Sequence, residues 1–288
     1  MTTNTQQMKT DHPEQDTVLV TSGTGKTGRR VVERLLALGT EVRSGSRTGG
    51  VPFDWEDKSG WEPALRGTDA AYVAYYPDLA APGAPEAMAA FGRIAADSGV
   101  RRLVLLSGRG EPQAVVAEDA LREAAAGVGL TVVRSAFFAQ NFSEGALLDG
   151  VLAGELVFPA GSAAEPFVDA DDLADVVVAA LKGDVPAGGV HELTGPRLLT
   201  FDEVAAELTG ATGSEVRYVP VSGPEYAAAL ESYGVPAPEA SFMADLFTML
   251  LDGHNAVTTD GVKRVLGREA RDFTAFAGDA AGDGAWSR

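Results

Sequence analysis

Three glycines, Gly23, Gly25 and Gly28, stand in G-x-G-x-x-G spacing directly after the apolar run 17–20 and directly before a helical pattern. Glycine lets a backbone turn tightly and approach a charged group. A helix that starts at such a turn presents unsatisfied N–H groups to a pyrophosphate. In this setting Thr21, Gly23, Thr24, Gly25, Lys26, Thr27 and Gly28 read as a dinucleotide-binding loop. The triplet 25–27 also has the Gly-Lys-Thr ending of a P-loop, but that loop needs a glycine where Val20 stands. A turn this short cannot wrap a triphosphate, which excludes nucleoside-triphosphate hydrolysis.

The tip of the second strand decides which dinucleotide. An NAD-preferring site carries an acid there to hold the ribose hydroxyls. Here the strand ends in 42–47 with no acid, and Arg43 and Arg47 offer charge to a 2′-phosphate. Arg47 lies beyond the strand's end, where the ribose belongs, so NADP(H) is expected. The three histidines, His12, His191 and His254, have no metal-ligand spacing. With no cysteine, thiolate metal sites, thiol nucleophiles and disulfides are excluded.

The elements that must position these groups alternate. The runs at 17–20, 41–46, 70–76, 102–107 and 130–134 read as strands, and 27–38, 86–98 and 115–126 as helices between them. Such alternation predicts a doubly wound parallel α/β sheet of Rossmann type. The pattern then changes to shorter pieces: a helix at 141–154, a strand at 155–158, a helix at 169–182, a strand at 191–194, a helix at 201–210, a strand at 215–221, and helices at 224–233 and 239–251. The expected organisation is a cofactor domain at 17–150, completed by 166–185, and a smaller mixed α/β C-terminal substrate lobe at 186–276 with 151–165. Residues 1–16 and 277–288 are expected to be a disordered and a flexible tail. On the helix 239–251, Phe242, Met243, Leu246, Phe247, Met249 and Leu250 form an apolar face, taken first as core, with a lid or a dimer interface as the other uses.

The net charge of −18, with no basic block, makes nucleic-acid backbones and anionic membrane surfaces poor partners. Apolar runs such as 176–181 fall short of the roughly 20 residues of a membrane span. Without a secretory h-region at 1–16, the expected compartment is cytoplasmic. The chain is expected to be a monomer or homodimer.

From about 17 to 276 the sequence resembles the NmrA-like branch of the atypical short-chain dehydrogenase/reductases. The marks are the loop 21–28, Arg47, the stretch 53–55, Leu106 and Ser107, and the stretches 134–142 and 166–174. The resemblance implies that Asp54 and Trp55 flank the adenine and that 137–141, with Phe137 and Asn141, lines the nicotinamide and substrate pocket. Two departures stand out. The family loop carries glycine where this chain has Ser22. Ordinary short-chain reductases have Tyr-x-x-x-Lys on the helix after the fifth strand, where Tyr protonates the carbonyl oxygen; here 115–126 has neither residue.

What chemistry remains is hydride delivery to an acceptor that needs little help: a quinone, a conjugated ketone or a polyketide-like molecule. Ser107, at a strand end over the expected nicotinamide position, is the candidate proton donor, with backbone capping as its other use. Tyr75 and Tyr76 sit beside the cofactor ribose and are read as packing. Gln140 and Asn141 are candidates for the substrate's polar groups, although Asn141 also suits a helix cap. The reading is an NADPH-dependent reductase; a non-catalytic NADP(H)-binding redox sensor is the alternative.

Overall fold

Strands rich in Val and Leu without polar alternation must be buried on both faces. In the computed structural model, which describes residues 16–287, they form one seven-stranded parallel sheet. In chain order the first half contains β1 (Thr17–Val20), α1 (Lys26–Ala37), β2 (Glu41–Ser46), β3 (Val51–Pro52), α2 (Trp61–Leu65), β4 (Ala70–Val73), α3 (Ala84–Asp97), β5 (Arg102–Gly108), α4 (Pro112–Ala124) and β6 (Gly129–Ser135). Then come α5 (Asn141–Glu144), α6 (Leu148–Ala153), β7 (Glu155–Phe158), β8 (Ala164–Glu165), α7 (Ala170–Lys182), β9 (Val190–Leu193), β10 (Leu199–Thr200), α8 (Phe201–Thr212), β11 (Arg217–Pro220), α9 (Gly223–Ser232), α10 (Ala237–Leu250), α11 (Gly261–Leu266) and α12 (Phe273–Gly282). The strand order is β3-β2-β1-β4-β5-β6-β9, so the chain reverses direction across the sheet between β1 and β4. A ligand crevice belongs outside the carboxyl ends of the strands at that switch point.

Two apolar clusters cover the two faces. Trp61, Met88, Phe91 and Leu121 from α2, α3 and α4 pack on one side, and Val31, Leu35, Leu173 and Val177 from α1 and α7 on the other. A third cluster, built around Phe142, Phe158, Phe167, Phe201 and Phe273, joins the later elements. Among the described residues no helix is long and apolar enough to cross a membrane.

Several expectations need correction. The boundary at 186 does not hold, because β9 is the seventh strand of the main sheet and Val262 of α11 packs in the cluster on its face. The segment expected as a flexible tail from 277 is partly α12, with Phe276 and Ala277 buried and Trp286 Nε1 donating to the Phe142 carbonyl. Aromatic burial holds it where Gly and Ala content pointed to fraying. The expected tail 1–16 lies outside the described residues except for Asp16. The helix at 141–154 is broken at Gly145 into α5 and α6. Strand β4 stops at Val73, which frees Tyr75 and Tyr76 for the crevice.

Candidate active site

The glycine loop is held open by close backbone contacts. A Cβ on Gly28 would overlap the Ser22 carbonyl oxygen and come within 3.0 Å of Gly23 Cα, so only glycine fits. Gly23 packs on Ser44 of β2, and its N–H donates to the Gly45 carbonyl at 2.9 Å. Ser22 adopts φ 51°, in the left-handed region that favours glycine, and its Oγ donates to the Ala74 carbonyl at 2.9 Å. Gly25 is the N-cap of α1; no side chain caps the helix and no acid occupies its first turn. The first N–H groups of α1 thus have no side-chain cap, and the positive end of the helix dipole stands behind them. This cradle fits a pyrophosphate.

Salt bridges fix α1 in place: Arg34 reaches Asp171 at 2.7 Å and Asp175 at 2.6 Å on α7. The side chains of Thr21 and Thr27 face inward. Thr21 Oγ1 donates to the Tyr72 carbonyl at 3.0 Å and accepts from the Ala74 N–H at 2.8 Å, while Thr27 accepts from the Tyr72 hydroxyl at 3.0 Å. Neither side chain is free for a ligand, and the Thr21 N–H is itself bonded to the Tyr72 carbonyl at 3.0 Å, whereas Thr24 is exposed.

At the tip of β2 the two arginines separate. Arg43 donates to the carbonyls of Ala64 at 3.3 Å and Arg66 at 2.6 Å. Arg47 is exposed, its guanidinium 5.7 Å from the centre of the Tyr76 ring. Asp54 accepts from the Glu56 N–H at 3.0 Å in a turn beside them. Trp55 departs from the expected role. Its indole is buried among Phe53, Trp61, Tyr75 and Phe91, and Nε1 donates to the Ala74 carbonyl at 2.9 Å, so it supports the crevice wall and offers no free ring face to an adenine.

Beside the cradle a cavity of about 190 Å³ opens at the ends of β5 and β6. Tyr75, Ser107, Phe137 and Asn141 line it; so do Asp78, Arg109, Glu111 and Glu165, which sequence reasoning missed. Leu246, Phe247 and Leu250 of α10 complete the lining. The apolar face of α10 is therefore a half-buried wall of the cavity, where core was the first expectation. Lys26 links the two halves. Its ammonium hydrogen-bonds Asn141 Oδ1 and lies 5.8 Å from the centre of the Phe138 ring, and burial lowers its pKa to about 8.

With 34% identity over 278 residues, the chain matches an oxidoreductase of Bacillus subtilis (strain 168), YesF, itself uncharacterized, across 92% of its own length and 95% of the relative's. The chain belongs to the NmrA-like branch of the atypical short-chain dehydrogenase/reductases. An NAD(P)H azoreductase of Xenophilus azovorans is 31% identical over 283 residues, covering 90% of this chain and 96% of that one. The fold also matches the crystal structure of the Citrobacter sp. triphenylmethane reductase complexed with NADP(H), with a TM-score of 0.72, 22% identity, and coverage of 92% and 99%. No protein-family model matches the chain.

Two further expected site residues prove to be braces. Ser107 Oγ donates to Glu118 Oε1 at 2.6 Å, and Arg134 binds the same carboxylate through Nε at 2.9 Å and Nη2 at 2.8 Å. With its proton directed at Glu118, Ser107 presents lone pairs to the cavity and is no proton donor in this arrangement. Gln140 is buried, Nε2 donating to Asp169 Oδ1 at 2.7 Å and Oε1 accepting from the Ala170 N–H at 2.7 Å, so it fixes the start of α7 and leaves nothing for substrate.

Three of the four missed residues are acids. Glu111 is buried beside Asp78, and burial pushes both carboxyls above their usual range. Glu165 is buried with Oε1 unpartnered, and burial raises it to about 7 against the pull of Arg109 and His254. These three come from loops or short strands after β4, β5 and β7, and no spacing in the sequence joins them. His254 pairs with Asp252 at 2.5 Å and the Gly110 carbonyl at 3.2 Å. Among the described residues no group of three or more His, Cys, Asp or Glu could hold a metal.

Proposed function

We propose that the chain is an NADPH-dependent reductase of a flat, conjugated small molecule, quinone-like or ketone-bearing. The observation that carries the reading is the continuity of cradle and cavity: Lys26 of the glycine loop is bonded to Asn141 of the cavity wall. A cofactor seated on the loop therefore has its reactive end directed to an aromatic-walled chamber. The relatives named for azo and triphenylmethane reduction, one of them crystallised with NADP(H), support both the cofactor and a conjugated acceptor.

When bound, NADPH supplies the hydride. The α1 N-terminus and the N–H groups of the cradle hold the pyrophosphate, and Arg47 pairs with the 2′-phosphate. Tyr75 and Tyr76 flank the ribose side, and Asp54 the adenine side. Phe137, Phe247 and Leu250 sandwich a planar acceptor and exclude water, while Asn141 orients its polar groups. Residues 17–150 with 166–185 carry the cofactor in this reading, and the later elements outside the sheet close over the substrate.

The test is a pair of titrations followed by turnover. NADPH is expected to bind at least about tenfold more tightly than NADH, a difference of about 1.4 kcal/mol. Arg47→Ala is expected to erase that preference by weakening NADPH alone. NADPH oxidation with a panel of quinones and conjugated ketones then identifies the acceptor. Equal affinities for the two cofactors refute the cofactor assignment; tight binding without turnover across the panel replaces the reductase with a redox sensor.

A further inference from the structure

We infer that the Asp78–Glu111 carboxyl pair is the proton donor of this site, taking the place of the absent Tyr-x-x-x-Lys. The inference rests on the reductase reading above. Both residues line the cavity, Asp78 from the loop after β4 and Glu111 from the loop after β5, two adjacent parallel strands. Their position is built. Glu111 is the N-cap residue of α4, where a carboxylate ordinarily accepts the first N–H groups of the helix. Its side chain makes no such bond. It turns instead over Gly108, where any Cβ would overlap the carboxyl group, and meets Asp78 carboxyl to carboxyl. Asp78 is itself anchored, accepting from the Ala80 N–H at 2.7 Å.

Among the described residues the nearby arginines are engaged elsewhere. Arg134 is engaged by Glu118 and Glu192, and Arg109 by Glu192 at 3.3 Å and the Asn255 carbonyl at 2.8 Å. Glu118 of α4 adds negative charge, while Tyr75 and Glu165 line the same cavity and His254, paired with Asp252, caps the Gly110 carbonyl. Two carboxyls in hydrogen-bond contact, Glu111 buried and Asp78 half-buried, do not both ionise readily. Counted as two carboxylates, the pair leaves Glu111 Oε2 buried with no partner. One proton between them turns a repulsion into a hydrogen bond and holds an acidic O–H beside the acceptor.

The acceptor's carbonyl carbon gains the hydride from NADPH, which is oxidised to NADP⁺, and the C–O π pair moves onto oxygen. That oxygen bonds the Glu111 proton, the O–H bond of the carboxyl breaks, and the resulting carboxylate pair regains a proton from water. The product from a ketone is an alcohol; from a quinone it is a hydroxydienone, which gives the hydroquinone when the carbon that took the hydride releases its proton to water and the second oxygen takes one up.

Two acceptors isolate the proton step. A naphthoquinone needs hydride and proton; a cationic triarylmethyl dye needs hydride alone. Glu111→Gln, and separately Asp78→Asn, are expected to lower the ratio of quinone rate to dye rate by about a hundredfold, the low end for general acid catalysis. The wild-type quinone rate is expected to fall at high pH with an ionisation that Glu111→Gln abolishes. In the cofactor-free protein at neutral pH, infrared difference spectroscopy is expected to show a protonated-carboxyl C=O stretch that Glu111→Gln removes. An unchanged rate ratio in both variants overturns the inference while the reductase reading stands. So does absence of the carboxyl band, or loss of the alkaline limb in Glu165→Gln with its retention in Glu111→Gln. A wild type that reduces neither acceptor overturns the reductase reading and this inference with it.

Discussion

Replacing Arg134 by Met strands the carboxylate of Glu118. Glu118 is wholly buried in α4 and receives three donors: two from Arg134 at 2.8 and 2.9 Å, and the Ser107 hydroxyl at 2.6 Å. The arrangement ties α4 to the ends of β5 and β6. Methionine keeps much of the arginine's apolar length but removes both charged donors, and one hydroxyl cannot replace them. Removing one partner of a buried pair costs about 3–5 kcal/mol, because the remaining charge has lost its solvation as well as its counter-ion. The 3.7 Å contact of Arg134 with the half-buried, solvent-facing Glu192 adds less than about 1 kcal/mol. In a chain of this size the loss lowers the melting temperature by on the order of 10 °C. Thermal unfolding followed by circular dichroism reads it directly. Glu118→Gln placed on top of Arg134→Met removes the stranded charge and is expected to recover half or more of the deficit. A single variant within about 1 kcal/mol of wild type, or a double variant less stable than Arg134→Met alone, refutes the account of Glu118 as a buried charge held by Arg134.

Gly28→Ala forces a Cβ into the Ser22 carbonyl and is expected to cost about 1–3 kcal/mol of stability and at least about tenfold in NADPH affinity; fluorescence titration would expose the error if affinity is unchanged. At Ser22 the left-handed φ of 51° costs about 1–2 kcal/mol for any residue with a Cβ, while Oγ gives back one hydrogen bond. Ser22→Ala keeps the strain and loses the bond, so urea denaturation should rank it below both wild type and Ser22→Gly. Glu165 has a pKa raised from 4.5 to about 7, so its burial weakens the fold progressively as pH rises from about 4.5 to 7 and by a constant amount above. Glu165→Gln should accordingly gain on the order of 1–2 kcal/mol over wild type near about pH 8 and little near about pH 4, and equal gains at both would contradict the assignment.

Much of the fold follows from local signals. The runs at 17–20 and 102–107 are mostly apolar with turn signals at their ends, and with the more polar run at 41–46 they are β1, β5 and β2 nearly residue for residue. The glycine loop was equally readable, because the need for a missing Cβ at Gly23 and Gly28 is met within the loop and the adjoining strand. Weaker signals misled where tertiary contacts overrode them. The Gly- and Ala-rich C-terminus lacks a strong periodic pattern, yet Phe276 and Trp286 anchor it against the third cluster. Gln140 looks like any polar residue near a pocket until Asp169 and Ala170 are brought to it from about 30 positions away.

The cavity divides in the same way. The cradle that starts α1, and the lack of both Tyr and Lys in α4, are properties of contiguous residues, and the amino-acid order alone determines them. Which acids face the chamber is not. Asp78, Glu111 and Glu165 stand 33 and 54 positions apart, each in an unremarkable local sequence, and meet because parallel strands deliver their loops to one edge of the sheet. Their protonation is decided only there, since burial and mutual repulsion act through space and carry no local sequence signature.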